Sequence, residues 1–90
     1  MKQTAKIKMI KKDPCPYCDR AMNFFNSKGV EVEVVDLTNN LDEVDVWKER
    51  TGWRTVPMIF IGDRFIGGYV DVKRLDEEGE FDKLVFSVPN

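Results

Sequence analysis

Two stretches of alternating apolar residues flank a segment of helical spacing, and that order limits the folds open to the chain. Ala5, Ile7 and Met9 alternate with Lys6 and Lys8, which predicts a strand of about six residues. "VEVEVVDL", residues 30–37, alternates almost without a break and predicts a second strand. Between them Cys18, Ala21, Met22 and Phe25 recur at helical spacing, with Gly29 offering a C-terminal cap, so a helix is expected over Pro16–Lys28. Two strands joined by a helix should lie parallel, with a right-handed crossover.

The remainder extends this pattern. "TNNLDEVDVWKERTG", residues 38–52, supplies polar starters, apolar positions at Leu41, Val44 and Trp47, and Gly52 as a stop, which predicts a second helix. "MIFIGDRFIGG" predicts a hairpin of residues 58–61 and 64–66, turning at Gly62-Asp63 and adding antiparallel strands. Residues 69–86 carry Val72, Leu75, Phe81, Leu84 and Val85 and should be helical, broken near Gly79. The expected order is β-α-β-α-β-β-α, an α/β chain forming one domain over residues 1–90.

Composition removes several function classes. Fourteen Lys+Arg against sixteen Asp+Glu leave a formal charge of -2, which gives no global attraction to nucleic acid or acidic lipid. No stretch approaches the roughly 20 apolar residues needed to span a bilayer. The opening "MKQTAKIKMIKK" has no uninterrupted apolar run and does not read as a secretory signal. Basic residues gather before Asp13 and acidic ones from Asp76 to Asp82; both runs read as solvated surface, except Lys11 and Lys12, which stand within reach of a cysteine. Two cysteines are too few for a disulfide-built secreted scaffold, so a cytosolic, thiol-reducing setting is expected.

Both cysteines fall in "KKDPCPYCDR", residues 11–20. As a structural staple the pair would close a tiny loop, add little constraint and be reduced in the cytosol. As a zinc site it lacks partners, because the chain has no histidine and no third cysteine, whereas structural zinc takes about four N or S ligands. Redox chemistry fits the position between strand and helix. Cys15 at the helix mouth and Cys18 one turn further in share a face, so their sulfurs can bond. The unpaired N–H groups and dipole of the helix start, together with Lys12 and Lys11, favour thiolate over thiol at Cys15. Pro16 suits the first helical turn. Cys18, set deeper, is placed to resolve a mixed disulfide.

"CPYC" after the first strand, "TVP" at Thr55, Val56 and Pro57, and "GG" at Gly67-Gly68 followed by Tyr69-Val70-Asp71 together resemble the dithiol glutaredoxins, over nearly the whole chain. The resemblance implies the thioredoxin fold, with a four-stranded mixed sheet flanked by helices. It implies reduction of protein disulfides and glutathione mixed disulfides with glutathione as co-substrate, and electron supply to enzymes such as ribonucleotide reductase, by a protein expected to act as a monomer. By the same resemblance Pro57 would be cis, with the Val56 N–H and C=O facing the cysteinyl part of glutathione. Gly67-Gly68 would allow positive φ and close approach, so that following N–H groups hold the γ-glutamyl carboxylate while Asp71 takes the α-amino group. Lys12, helped by Arg54, would meet the glycyl carboxylate, and Tyr17 would line the thiol groove. Val70 stands where many relatives are polar and leaves only its backbone to offer. Trp53 is bulky beside the groove, and a polar contributor from the second helix has no clear counterpart. Some relatives bridge a [2Fe–2S] cluster between two protomers, but a proline after the first cysteine disfavours that rival role, and no metal is expected.

Overall fold

The computed structural model describes residues 2–87. Four strands form the main sheet: β2 (Ile7–Lys11), β3 (Val32–Asp36), β4 (Met58–Ile61) and β5 (Arg64–Gly67), in the spatial order β3-β2-β4-β5. β2 and β3 are parallel, as the β-α-β pattern requires, while β4 runs antiparallel to both β2 and β5. Ile59 pairs with Gly67 and Phe60 with Phe65, so Ile66 is an extra residue that bulges β5 just before the glycine pair. The helices are α1 (Pro16–Lys28), α2 (Leu41–Thr51), α3 (Tyr69–Glu77) and α4 (Glu80–Val85). Strands β2–β5 and helices α1–α3 follow the β-α-β-α-β-β-α order of the thioredoxin fold.

The two central strands are covered on both sides. Ile7, Met9, Ile59 and Ile61 point into a large cluster with Cys18, Ala21, Phe25, Val72, Phe81 and Val85, so α1, α3 and α4 share one face. Ile10 and Met58 point the other way, against Val44 of α2, with Trp47, Trp53, Phe60 and Phe65 around them. Two-sided burial explains why the first strand differs from its simple alternation. It begins at Ile7 rather than Ala5 and buries Ile10 as well as Ile7 and Met9. Leu41, read as a buried position of the second helix, is 57% exposed, because Val44 and Trp47 alone supply that helix's contact with the small second cluster.

Helix ends follow local chemistry. Gly29 closes α1 at φ 70° and donates its N–H to Phe25 and Asn26. Gly79, at φ 77°, separates α3 from α4 where the break was expected. The tail corrects the helical reading of Phe86: the chain turns extended there, and β6 (Phe86–Ser87) pairs antiparallel with β1 (Lys2–Gln3). Val85 C=O accepts the N–H groups of Thr4 and Ala5, so the N-terminal segment decides where α4 stops. Two-residue strands carry no periodicity, which is why neither was legible.

Two members of the acidic run, Asp76 and Asp82, do more than face solvent. Lys28 Nζ lies 2.8 Å from Asp76 and 3.0 Å from Asp82, tying the end of α1 to α3 and α4. Asp76 first and Asp82 second hold the Lys28 ammonium above its ordinary 10.5, against the opposing effect of burial. A raised folded value means the clamp stabilises fully below pH 10.5 and is lost as pH rises through that higher value. Lys28→Met should cost about 1 kcal/mol in urea unfolding at neutral pH. The gap between variant and wild type should close above pH 10.5; a gap that persists there would contradict the clamp.

Candidate active site

Residues 12–15 carry the chain from the top of β2 to α1. Cys15 is the N-cap, and Pro16 occupies the first turn, where no N–H is needed. Cys15 and Cys18 form a disulfide, with Cα atoms 5.2 Å apart. The backbone N–H of Cys18 donates to Cys15 Sγ at 3.1 Å, so an unpaired donor of the helix start is aimed at this sulfur. Cys15 is 7% exposed and Cys18 1% exposed. Cys15 is therefore the outer sulfur of the pair and Cys18 the enclosed one.

The charges near the pair are not arranged as the sequence suggested. Lys11 does not offer a free cation, because its Nζ lies 2.8 Å from Asp13 Oδ1. That hydrogen bond, with help from Asp36 and Asp19, raises the Lys11 ammonium above its usual range despite desolvation. Lys12 is half-buried and takes part in no ion pair among the described residues, so it is the basic residue left available before Cys15.

A second wall forms where the loop ahead of β4 meets the start of α3. The Val56–Pro57 peptide bond is cis, as the resemblance implied. The Val56 N–H and C=O have no partner among the described residues, and its side chain packs on the cluster that contains both cysteines. Gly68 lies against this loop: a Cβ there would stand 3.7 Å from both Pro57 O and Trp53 Cζ2. The glycine pair divides its work. Gly67 has positive φ, at 122°, whereas Gly68 sits at φ -101° and makes the close approach to Pro57 and Trp53. Asp71 Oδ2 accepts the Gly68 N–H at 2.9 Å, closing the N-terminus of α3. The Gly68 N–H is thereby occupied, and the N–H groups of Tyr69, Val70 and Asp71 have no partner among the described residues.

Tyr17 is 51% exposed and Val70 57% exposed, flanking the two walls. The Tyr17 ring centroid is 6.5 Å from that of Tyr69, and the Arg20 guanidinium lies 5.0 Å from the centroid of the Tyr17 ring. Tyr69, which packs on the cysteine-containing cluster, stands out in the sequence only as part of a motif; its place directly after two glycines is the available signal. Arg54 and Thr55 are exposed, directly ahead of Val56, and make no side-chain hydrogen bond or ion pair among the described residues. Trp53 packs edge-on against Phe65, and its buried indole N–H has no partner among the described residues.

Comparison with known proteins agrees with this geometry. The Glutaredoxin family model matches residues 7–66. Glutaredoxin 3 of Escherichia coli (strain K12) is 37% identical over 81 residues, spanning 90% of this chain and 98% of that protein. A solved buckwheat glutaredoxin–glutathione complex superposes with TM-score 0.82 at 27% identity, over 90% of this chain and 76% of that one. The solution structure of a glutaredoxin from Brucella melitensis gives 0.80 at 32% identity, over 93% and 91%. Sequence relatives and structural neighbours thus converge on one assignment: the chain belongs to the glutaredoxin family of thiol–disulfide oxidoreductases.

Proposed function

We propose that the protein uses glutathione to reduce glutathione mixed disulfides and protein disulfides through Cys15 and Cys18. The observation that carries this reading is the bonded cysteine pair at a helix start, with the Cys18 N–H held on Cys15 Sγ. After reduction that donor faces a sulfur that is the nucleophile in its ionised form. The Cys15 thiolate attacks the glutathionyl sulfur of a mixed disulfide. The substrate S–S bond breaks, the substrate leaves as a thiolate that takes up a proton, and glutathione is left bonded to Cys15. A second glutathione thiolate then attacks that glutathionyl sulfur, releasing glutathione disulfide and Cys15. For a protein disulfide, Cys15 forms the mixed bond and Cys18 displaces the client, leaving the Cys15–Cys18 disulfide for two glutathiones to reduce.

In this reading glutathione lies along the groove between the two walls. Val56, ahead of cis-Pro57, pairs with its cysteinyl backbone as a short strand. Gly68 lets the peptide approach, the free N–H groups of Tyr69 and Val70 hold the γ-glutamyl carboxylate, and Asp71 takes the α-ammonium. Lys12, with Arg54 and Thr55 on the rim, meets the glycyl end, while Tyr17 lines the approach to sulfur. Clients are glutathionylated or disulfide-bonded proteins, ribonucleotide reductase among them, served in the cytosol by a monomer.

A mixed disulfide of glutathione and 2-mercaptoethanol tests the reading. Turnover should require glutathione with its own reductase, and thioredoxin reductase alone should give none. Equal turnover with thioredoxin reductase and no glutathione would reject it.

A further inference from the structure

The polar residues beside the β2–α1 loop hold a further function. We infer that Thr38 is a positioning residue for Cys15, its hydroxyl anchoring the loop that delivers this sulfur to the mouth of α1. The inference rests on the proposed role of Cys15 as nucleophile.

In the sequence Thr38 reads as a starter of the second helix, but Asn40 caps that helix. Thr38 bonds in the opposite direction. Its Oγ1 accepts the backbone N–H of Asp13 at 2.9 Å. The same hydroxyl donates to Asp36 Oδ1 at 2.5 Å, and the Thr38 N–H donates to that oxygen at 3.0 Å. The hydroxyl is thus fixed as donor on one side and acceptor on the other. These two bonds from Thr38 hold the Asp36 carboxyl below its ordinary range. One residue earlier, Leu37 N–H donates to Lys11 C=O at 2.9 Å, so residues 37 and 38 continue the β2–β3 pairing past the end of both strands. The Lys11–Asp13 ion pair braces the loop from its other side.

The anchored residue, Asp13, is two positions before Cys15. The Cys15 sulfur meets the Cys18 N–H only if the loop arrives at the N-cap in the right place. Freed from Thr38, the Asp13 N–H must turn to solvent, and the loop loses a hydrogen bond to the β3–α2 connection. The sulfur then spends less time against its donor, and a smaller share is ionised at a given pH. Thr38→Val removes the hydroxyl at constant shape and alters none of the charges around the loop, namely Lys11, Lys12, Asp13, Asp19, Arg20 and Asp36. A shift in this variant therefore reports geometry rather than charge.

The test is the pH dependence of iodoacetamide labelling of the reduced protein, with the label assigned to Cys15 by peptide mass spectrometry. Thr38→Val should move the labelling midpoint up by about half a unit, roughly a threefold loss of thiolate on the acid side. Thr38→Ser, which restores the hydroxyl, should return the wild-type midpoint. Should Thr38→Val fail to fold by circular dichroism, Thr38→Ala carries the same expectation. An unmoved midpoint in these variants, or an equal shift in Thr38→Ser, overturns the inference while leaving the proposed function intact. Wild-type protein whose Cys15 resists labelling at neutral pH overturns both.

Discussion

Cys15→Ser should reduce every exchange activity by about three orders of magnitude or more, to the background of the assay, while Cys18→Ser should keep deglutathionylation close to the wild-type rate. A serine hydroxyl at position 15 stays protonated near neutral pH, and the helix start cannot ionise it as it can a thiol. Position 18 differs because its contribution to the first step is a backbone group. The N–H that meets Cys15 Sγ at 3.1 Å belongs to the main chain and survives the substitution. What Cys18→Ser removes is the second sulfur, which is needed only when Cys15 must be freed from a client protein without another glutathione. Reduction of protein disulfides should therefore fall steeply in that variant. Parallel assays on a glutathione mixed disulfide and on an oxidised protein separate the two effects, and equal losses in both variants and both assays would refute the division of labour.

Gly67→Ala is expected to be the most damaging single-methyl change near the site. At φ 122° any side chain strains the backbone, at about 1–3 kcal/mol. The added Cβ would also stand 2.7 Å from Asp71 Oδ2 and 2.9 Å from Asp71 Cγ. Asp71 can move, but only by giving up the Gly68 N–H that caps α3, which costs about 1 kcal/mol more. Urea unfolding should show a loss of about 2–4 kcal/mol in all, with a raised KM for glutathione as Asp71 leaves its place. Gly68→Ala is the control. Its φ of -101° suits alanine, and the new methyl would rest at ordinary contact distance from Pro57 and Trp53. Its stability should change little. Equal destabilisation in the two variants would show that the strain lies elsewhere.

Features whose signal is local were legible before the structure. Pro16 and Gly29 bracket α1, and the C-x-x-C spacing already placed two sulfurs on one helical face. The hairpin and the break at Gly79 were equally plain, since glycine at positive φ marks a chain reversal whatever surrounds it. Features that depend on a partner far along the chain were not. Leu41 fits a helical stripe, yet α2 covers too small a patch to bury it. Lys11 looked like a free cation until Asp13 folded back onto it, and Lys28 carries no mark of its two distant carboxylates. Thr38 is the sharpest case. Its neighbours argue for a helix start, and only the parallel register of β2 and β3 brings it to Asp13, 25 positions earlier.

The packing of the groove on two separate clusters has a consequence for inherited variation. The sulfurs and Tyr69 rest on the larger cluster, whereas Trp53 belongs to the smaller one behind the sheet, with Trp47, Phe60 and Phe65. Substitutions among those four aromatics can reshape the Trp53 side of the site without disturbing the foundation of the cysteine pair. The flank of the site and the sulfur chemistry are thus free to drift on different lineages of mutation.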